Sequence, residues 1–292
     1  MLKIVEKTKV WFAISVIVIM AGMIALGIKG LNYGIDFQGG TIVTIEMGKN
    51  FNQQVKEEAD AIIKKYDSQA STYIANETQL EIKSNNLNSD SISKMFNELK
   101  GKYKLEEKAL LSQNNVGPSV GNELKKKTVN ALLVATAAML IYVGFRFEIK
   151  FGISAILALV HDVLVTIGVY AIFQIPVNSP FIAAMLTIIG YSINDTIVIF
   201  DRIRENRKKM RGKGVIEIVN ASITQTMSRS INTSLTTLVT IVAVYIFVPS
   251  VREFAFPLII GILSGAYSSI FVASPIWVLL KKYEKNRKKV AA

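Results

Sequence analysis

The chain has 292 residues, 51% of them hydrophobic, with a formal net charge of +12 and no cysteine. The missing cysteines exclude a disulfide framework and a thiolate metal site. The distribution of charge excludes a soluble two-domain protein, because long stretches carry almost none of it.

A helix needs about 20 apolar residues to cross the hydrocarbon core of a bilayer. Six stretches approach that length: 10–28, 128–145, 151–173, 181–200, 228–248 and 254–280. Three of them, 10–28, 128–145 and 254–280, contain no ionisable residue. The segments 1–10, 146–150, 201–227 and 281–292 together hold 18 Lys/Arg against 6 Asp/Glu, whereas 29–127 has 14 Lys against 13 acids. Such a positive-inside bias predicts that both termini are cytoplasmic. A nucleic-acid-binding domain would gather its basic charge on one folded unit, so no nucleic-acid partner is predicted.

In chain order, residues 1–28 form a short cytoplasmic start and the first transmembrane helix. Basic residues precede that helix, as in a signal sequence. Its length, and the lack of a small-x-small site before Lys29, predict that it is retained. Residues 29–127 read as one α+β domain outside the membrane. Gly34-Ile-Asp-Phe-Gln-Gly-Gly40 makes a tight entry into its sheet, with Gly34, Asp36, Gly39 and Gly40 shaping the turn. No helix opens directly after these glycines, so a phosphate loop is not predicted.

A strand over 40–47 is followed by a helix marked by Val55, Ala59, Ile62 and Tyr66. Strands over 71–75 and 79–83 join across Asn76-Glu77 as a hairpin. A second helix carries Ile92, Met95, Phe96 and Leu99, with Asn88 or Ser89 as N-cap. The last strand is predicted over 103–110. This βαββαβ order is the ferredoxin-like unit, which usually serves as a binding or mechanical module. Nothing in it has catalytic spacing. Val116-Gly-Pro-Ser-Val-Gly121, with Gly117, Pro118 and Gly121, reads as a rigid turn back to the bilayer.

From residue 128 the chain is nearly all membrane, with short outer links at 174–180 and 249–253. The inner loop 201–227 is basic, and Val215, Val219, Ile223 and Met227 predict a helix lying at the interface within it. A basic tail, 281–292, closes the chain. The predicted fold class is a polytopic α-helical membrane protein: six transmembrane helices, and one ferredoxin-like α+β domain between helices 1 and 2, outside the cytoplasm.

Ionisable groups inside membrane helices are costly and mark function by default. Asp195 lies five residues inside Phe200, and Thr187, Tyr191 and Asp195 stack at i, i+4 and i+8 with Asn194 beside them. Desolvation disfavours the charged form of an isolated carboxylate there, which suits it to proton exchange. Arg229 starts the fifth helix at similar depth, and Thr233, Thr236, Thr237 and Thr240 continue its face. Two polar stripes on consecutive helices predict a proton path, with Arg229 either tuning Asp195, fixing helix register with it or reaching to the interface. His161 and Asp162 sit about ten residues into the third helix. Adjacent helical residues diverge by about 100°, so no dyad between them is expected. They serve either as a proton relay or as hydrogen-bonded helix contacts. Gly261 and Gly265 form a small-xxx-small helix contact.

Taken together, these blocks resemble the SecF family of the bacterial SecDF protein-export complex. They are Gly34-Ile-Asp-Phe-Gln-Gly-Gly40, Val116-Gly-Pro-Ser-Val-Gly121, His161-Asp-Val163, Gly190-Tyr-Ser-Ile-Asn-Asp-Thr-Ile-Val-Ile-Phe-Asp-Arg-Ile-Arg-Glu-Asn206 and Arg229-Ser-Ile-Asn-Thr-Ser-Leu-Thr-Thr237. The resemblance runs in order over the whole chain. It implies a fold of the resistance-nodulation-division transporters, paired with SecD in the bacterial cytoplasmic membrane. It further implies assistance to the SecYEG channel and its ATPase SecA, with the proton gradient moving the outer domains to pull an emerging polypeptide outward. By that motif Asp195 is the proton carrier and Arg229 the arginine near it, with no cofactor, no metal and no enzymatic step.

The alternatives are a half-transporter for a lipid or drug-like substrate, an intramembrane protease using Asp162 with Asp195, and a passive scaffold of the translocase. A carboxylate serves H⁺ or Na⁺ equally, so the coupling ion stays open.

Overall fold

The computed structural model describes residues 2–48, 51–146 and 148–290. Among the described residues, six helices are long and apolar enough to cross a membrane: Val5–Lys29, Val120–Phe145, Ile149–Phe173, Ser179–Lys209, Val215–Phe247 and Arg252–Glu284. The first contains α1 (Thr8–Lys29). Its 22 residues span about 33 Å, enough for the hydrocarbon core. Gly30 ends it with φ +70°, its N–H still bonded to the Leu26 carbonyl.

The domain that follows opens with one short helix, α2 (Ile35–Gln38), between Gly34 and Gly39. Beyond it come β1 (Gly40–Glu46), α3 (Gln53–Tyr66), β2 (Ser71–Ala75), β3 (Gln79–Ser84), α4 (Ser89–Tyr103) and β4 (Leu110–Val116). The four strands form one antiparallel sheet in the order β2-β3-β1-β4. Apolar residues alternate along the strands, so Val43, Ile45, Leu80 and Ile82 all point to one face. There they pack on Ala59, Ile62 and Ile63 of α3 and on Ile92, Met95, Phe96 and Leu99 of α4. Asn52 and Asn88 cap the two helices, accepting from the N–H groups of Val55 and Ser91. Asn76 and Glu77 both adopt positive φ at the hairpin, as the right-handed twist of the flanking strands favours.

Two expectations fail here. The last strand lies at 110–116, not 103–110, because α4 persists to Tyr103 and a left-handed Lys104 then turns the chain. The stretch after Gly117 is not a turn: α5 (Pro118–Arg146) begins at Pro118, since proline suits the first helical position, where its missing N–H costs nothing. Gly121 lies inside α5, packed so closely on the backbone of Phe37 that a Cβ would meet its carbonyl oxygen at 2.7 Å.

The remaining helices are α6 (Ile149–Phe173), α7 (Ser179–Lys209), α8 (Val215–Phe247), α9 (Arg252–Ser268) and α10 (Ser274–Val290), with a π-helical turn at Ser269–Ala273 joining the last two. The interfacial helix expected over 215–227 is the first part of α8, continuous with the spanning part. No glycine or proline interrupts 215–247, so nothing breaks the backbone ladder there. Glycines set the closest approaches. Gly22 of α1 meets Gly168 of α6, where a Cβ would stand 2.6 Å from the facing Cα. A Cβ on Gly261 of α9 would collide with Ile188 of α7 at 2.3 Å, and Gly265 lies against Ser192.

The sheet domain is fastened to the helices at three places. Tyr33 and Val177 form a parallel bridge, with Val177 N–H donating to Asn32 O and Gly34 N–H to Val177 O. Asp36 Oδ2 accepts from the Ser179 N–H at 2.8 Å, which puts a carboxylate on the positive end of α7. Lys83 on the open face of the sheet pairs with Glu253 at 2.9 Å, and Glu253 also accepts from Asn178 Nδ2 at 3.0 Å.

Candidate functional site

Asp195 sits on the side of α7 that packs against α8. It is 7% exposed, and Ser230 Oγ donates to its Oδ1 at 2.8 Å. Its other oxygen, Oδ2, is buried with no hydrogen-bond partner among the described residues. Tyr191, one turn earlier, reaches Thr237 Oγ1 of α8 at 3.5 Å. The stripe read on α7 therefore meets α8 at these two levels.

Its other members turn away. Asn194 and Thr187 are exposed, and Thr187 Oγ1 donates to its own helix at the Ala183 carbonyl. Arg229 is exposed and makes no ion pair among the described residues. Ser230, its neighbour, occupies the position facing Asp195, and adjacent helical side chains diverge by about 100°. Thr233 is also exposed and returns its hydroxyl to the Arg229 carbonyl at 2.8 Å.

A second polar cluster lies around Asp162 on α6, which is 1% exposed. Ser192 of α7 donates to its Oδ2 at 2.6 Å, and Ser268 of α9 does so at 2.7 Å. Ser264 of α9 donates to Oδ1 at 2.6 Å. His161 Nδ1 lies 3.0 Å from Oδ1. The expectation that His161 and Asp162 form no dyad is thus corrected: the imidazole folds back along the helix surface to reach its neighbour. On its far side His161 Nε2 lies 3.0 Å from Ser15 Oγ of α1. The Tyr267 hydroxyl stands 3.4 Å beyond Ser15 and donates to the Trp11 carbonyl at 2.8 Å. A neutral imidazole bearing its proton on Nδ1 takes a bond from Ser15, whereas an imidazolium gives one. Ser192 also connects the cluster to the next turn of α7, its carbonyl accepting from Thr196 Oγ1 at 3.2 Å.

Ser192, Ser230, Ser264 and Ser268 were not singled out from the sequence. Ser264 and Ser268 share a helical face at i, i+4, and Ser192 stands three residues before Asp195, so spacing held the signal. The glycines flanking Ile35–Gln38 do structural work. Gly39 and Gly40 have φ +83° and +153°, and a Cβ on Gly40 would stand 2.5 Å from the Ser84 carbonyl. Gly34 packs on Asn178 too closely for any side chain. No group of His, Asp and Glu able to hold a metal ion occurs among the described residues.

The family described as "Protein export membrane protein SecD/SecF, C-terminal" matches residues 95–283, and the "SecD/SecF GG Motif" matches residues 24–50. The chain belongs to the SecD/SecF family. The protein translocase subunit SecF of Sebaldella termitidis is 40% identical over 298 residues, covering 98% of this chain and 94% of that one. The subunit SecDF of Thermus thermophilus is 39% identical, covering 88% of this chain and 35% of its own length. The crystal structure of SecDF from Thermus thermophilus superposes with a TM-score of 0.78 at 35% identity, over 96% of this chain and 39% of that one. The chain therefore spans about two fifths of that SecDF chain. With six apolar helices and SecF relatives, it is a multi-pass membrane protein. Residues of the GG motif supply Asp36, Gly39 and Gly40, in the connection between α1 and the sheet.

Proposed function

We propose that the chain is the SecF-like half of a protein-export machine that pairs with SecD and uses the proton motive force to drive polypeptide export across the bacterial cytoplasmic membrane. Asp195 carries the proton. The observation that carries this reading is the half-satisfied carboxylate: one oxygen held by Ser230, the other buried and unpartnered. An acid that only glued helices together would bury both oxygens on donors. Proton binding at Oδ2 gives that oxygen a hydrogen to donate, and release restores the anion.

Both termini lie in the cytoplasm in this reading, and residues 29–127 form the extracytoplasmic domain. The basic segments 1–10, 201–227 and 281–292 support that orientation. The element order βαββαβ and the strand order β2-β3-β1-β4 support a ferredoxin-like unit. Pairing with SecD is supported by Asn194 and Arg229, which are exposed on neighbouring helices and make no side-chain hydrogen bond or ion pair among the described residues. Lipid tails offer such groups nothing, so a second subunit covers that face. There Arg229 stands ready to approach Asp195 or an acid of the partner. SecYEG and SecA join by the family's role.

The test is translocation of a secreted protein into inverted membrane vesicles, comparing the wild type with Asp195→Asn at matched expression. The gradient-dependent part is expected to disappear while the ATP-dependent part persists. Unchanged export would leave Asp195 a packing residue and the chain a scaffold.

A further inference from the structure

At the end of the bundle bearing the basic loop, the end of α7, the start of α8 and the middle of α10 enclose a cavity of about 350 Å³. Four cations line it, Arg207, Arg211, Lys213 and Lys281, and none of its lining residues is acidic. Three of the four already have carboxylate partners outside the cavity. Arg207 and Lys281 share Glu148 at 3.1 and 3.3 Å, and Lys213 pairs with Glu217 at 2.8 Å. Arg211 is exposed and makes no ion pair among the described residues.

Trp277 forms one wall. Its side chain is 1% exposed, and its indole N–H is buried without a hydrogen-bond partner among the described residues. One ring face stacks on Phe151, with centroids 4.7 Å apart. The Arg207 guanidinium and the Lys281 ammonium stand 5.7 and 6.0 Å from the ring centre. A buried donor left unmet is costly, and here it sits among cations with no acceptor supplied by the described residues. An oxyanion with several acceptor oxygens answers both demands, and phosphate matches a fork of arginines.

Depth selects the source of that phosphate. Trp277 is the last aromatic before Lys281 and Lys282 on α10, the position of an interfacial tryptophan at headgroup level. Exposed apolar side chains, Val215 at the rim and Leu279 on α10, flank it. We propose that this cavity binds the phosphate of an anionic phospholipid, with Arg211 and Lys213 closing over the headgroup and the Trp277 N–H donating to a phosphate oxygen.

The chain contains two tryptophans, so Trp11→Phe leaves Trp277 as the sole indole reporter. The full-length variant is reconstituted into phosphatidylcholine vesicles containing acyl-brominated phosphatidylglycerol or, at the same mole fraction, acyl-brominated phosphatidylcholine. The anionic lipid is expected to be about fivefold enriched at Trp277, the attraction of one basic residue for anionic lipid. The added exposed-loop changes Arg211→Gln and Lys213→Gln should abolish that enrichment. Equal quenching by the two lipids would overturn the proposal. Loss of quenching on adding millimolar inorganic phosphate would reassign the cavity to a free anion. Displacement by an acidic peptide, with no displacement by phosphate, would make it a protein-docking site and equally sink the lipid assignment.

Discussion

Asp162 and Asp195 lie on neighbouring helices and differ in how fully they are satisfied. A carboxylate offers about four acceptor sites. Those of Asp162 meet four donors, three serine hydroxyls and His161, and tie α6 to α7 and α9. Asp195 has one such bond. Under the proposed function this pattern suits Asp162 to assembly and Asp195 to exchange. Asp162→Asn would turn an amide NH₂ against hydroxyl donors and leave buried groups unpaired, at about 1–3 kcal/mol each. A clear drop in the thermal unfolding midpoint in detergent is expected for it, while Asp195→Asn keeps a midpoint close to that of the wild type. The reverse order would exchange the two roles. Both aspartates were legible as costly intramembrane charges, whereas their different surroundings were not. Serines 264 and 268 come from a helix remote in sequence, and only packing shows which carboxylate they serve.

At the level of elements, Asp67 shows how one side chain ties a helix end to a strand end. It follows α3 and accepts from Ser84 Oγ, from the Gln69 N–H at 3.0 Å and from Asn86 Nδ2 at 3.4 Å. Burial by itself would raise its titration point, but these bonds outweigh it and hold the carboxyl below the usual aspartate range. With a depressed folded value, the stabilisation is present above the unfolded value of about 4 and is lost as pH falls through the folded one. Asp67→Asn should therefore destabilise the domain by about 1–3 kcal/mol at neutral pH, with the difference closing in acid. Thermal melts at neutral pH and near pH ~2 would show no such convergence if Asp67 acted only through its shape. Most elements were readable because their apolar spacing is strict, as in Ile92, Met95, Phe96 and Leu99. The misplaced strand was not. Leu110–Val116 reads Leu-Leu-Ser-Gln-Asn-Asn-Val, nearly without β-branched residues, and it is a strand because β1 offers it an edge. Likewise, the polar 224–233 stretch looked like a boundary, yet its threonines bond back to carbonyls one turn earlier and keep α8 whole.

Across the whole molecule, the sheet and the helices meet in a largely buried ion pair. Lys83 and Glu253 are both mostly buried, with side chains 20% and 18% exposed. Burial would lower Lys83, yet attraction to Glu253 outweighs it and leaves the ammonium raised. Its contribution is therefore full below the unfolded lysine value of about 10.4 and fades only as pH rises through the folded one. Tyr73 beside the pair is pushed up to about 12, by burial first and then by the Glu253 carboxylate, so the contact stays intact across physiological pH. Lys83→Glu or Glu253→Lys alone should loosen the sheet from the α8–α9 link, read as faster hydrogen exchange in β2 and β3. The double swap should restore protection and export together. Failure of the swap to rescue either single change would show that the pair fills space and bears no load.

The clasp between Asp36 and the first N–H of α7 has a mechanical meaning. Ser179 and Asp195 are 16 positions apart on one helix, about 24 Å along its axis. A helix scarcely compresses, so under the proposed function α7 would act as a pushrod. A displacement of the sheet by a passing chain would arrive at the carboxylate nearly undiminished, and a shift at the carboxylate would be felt at the sheet in the same measure.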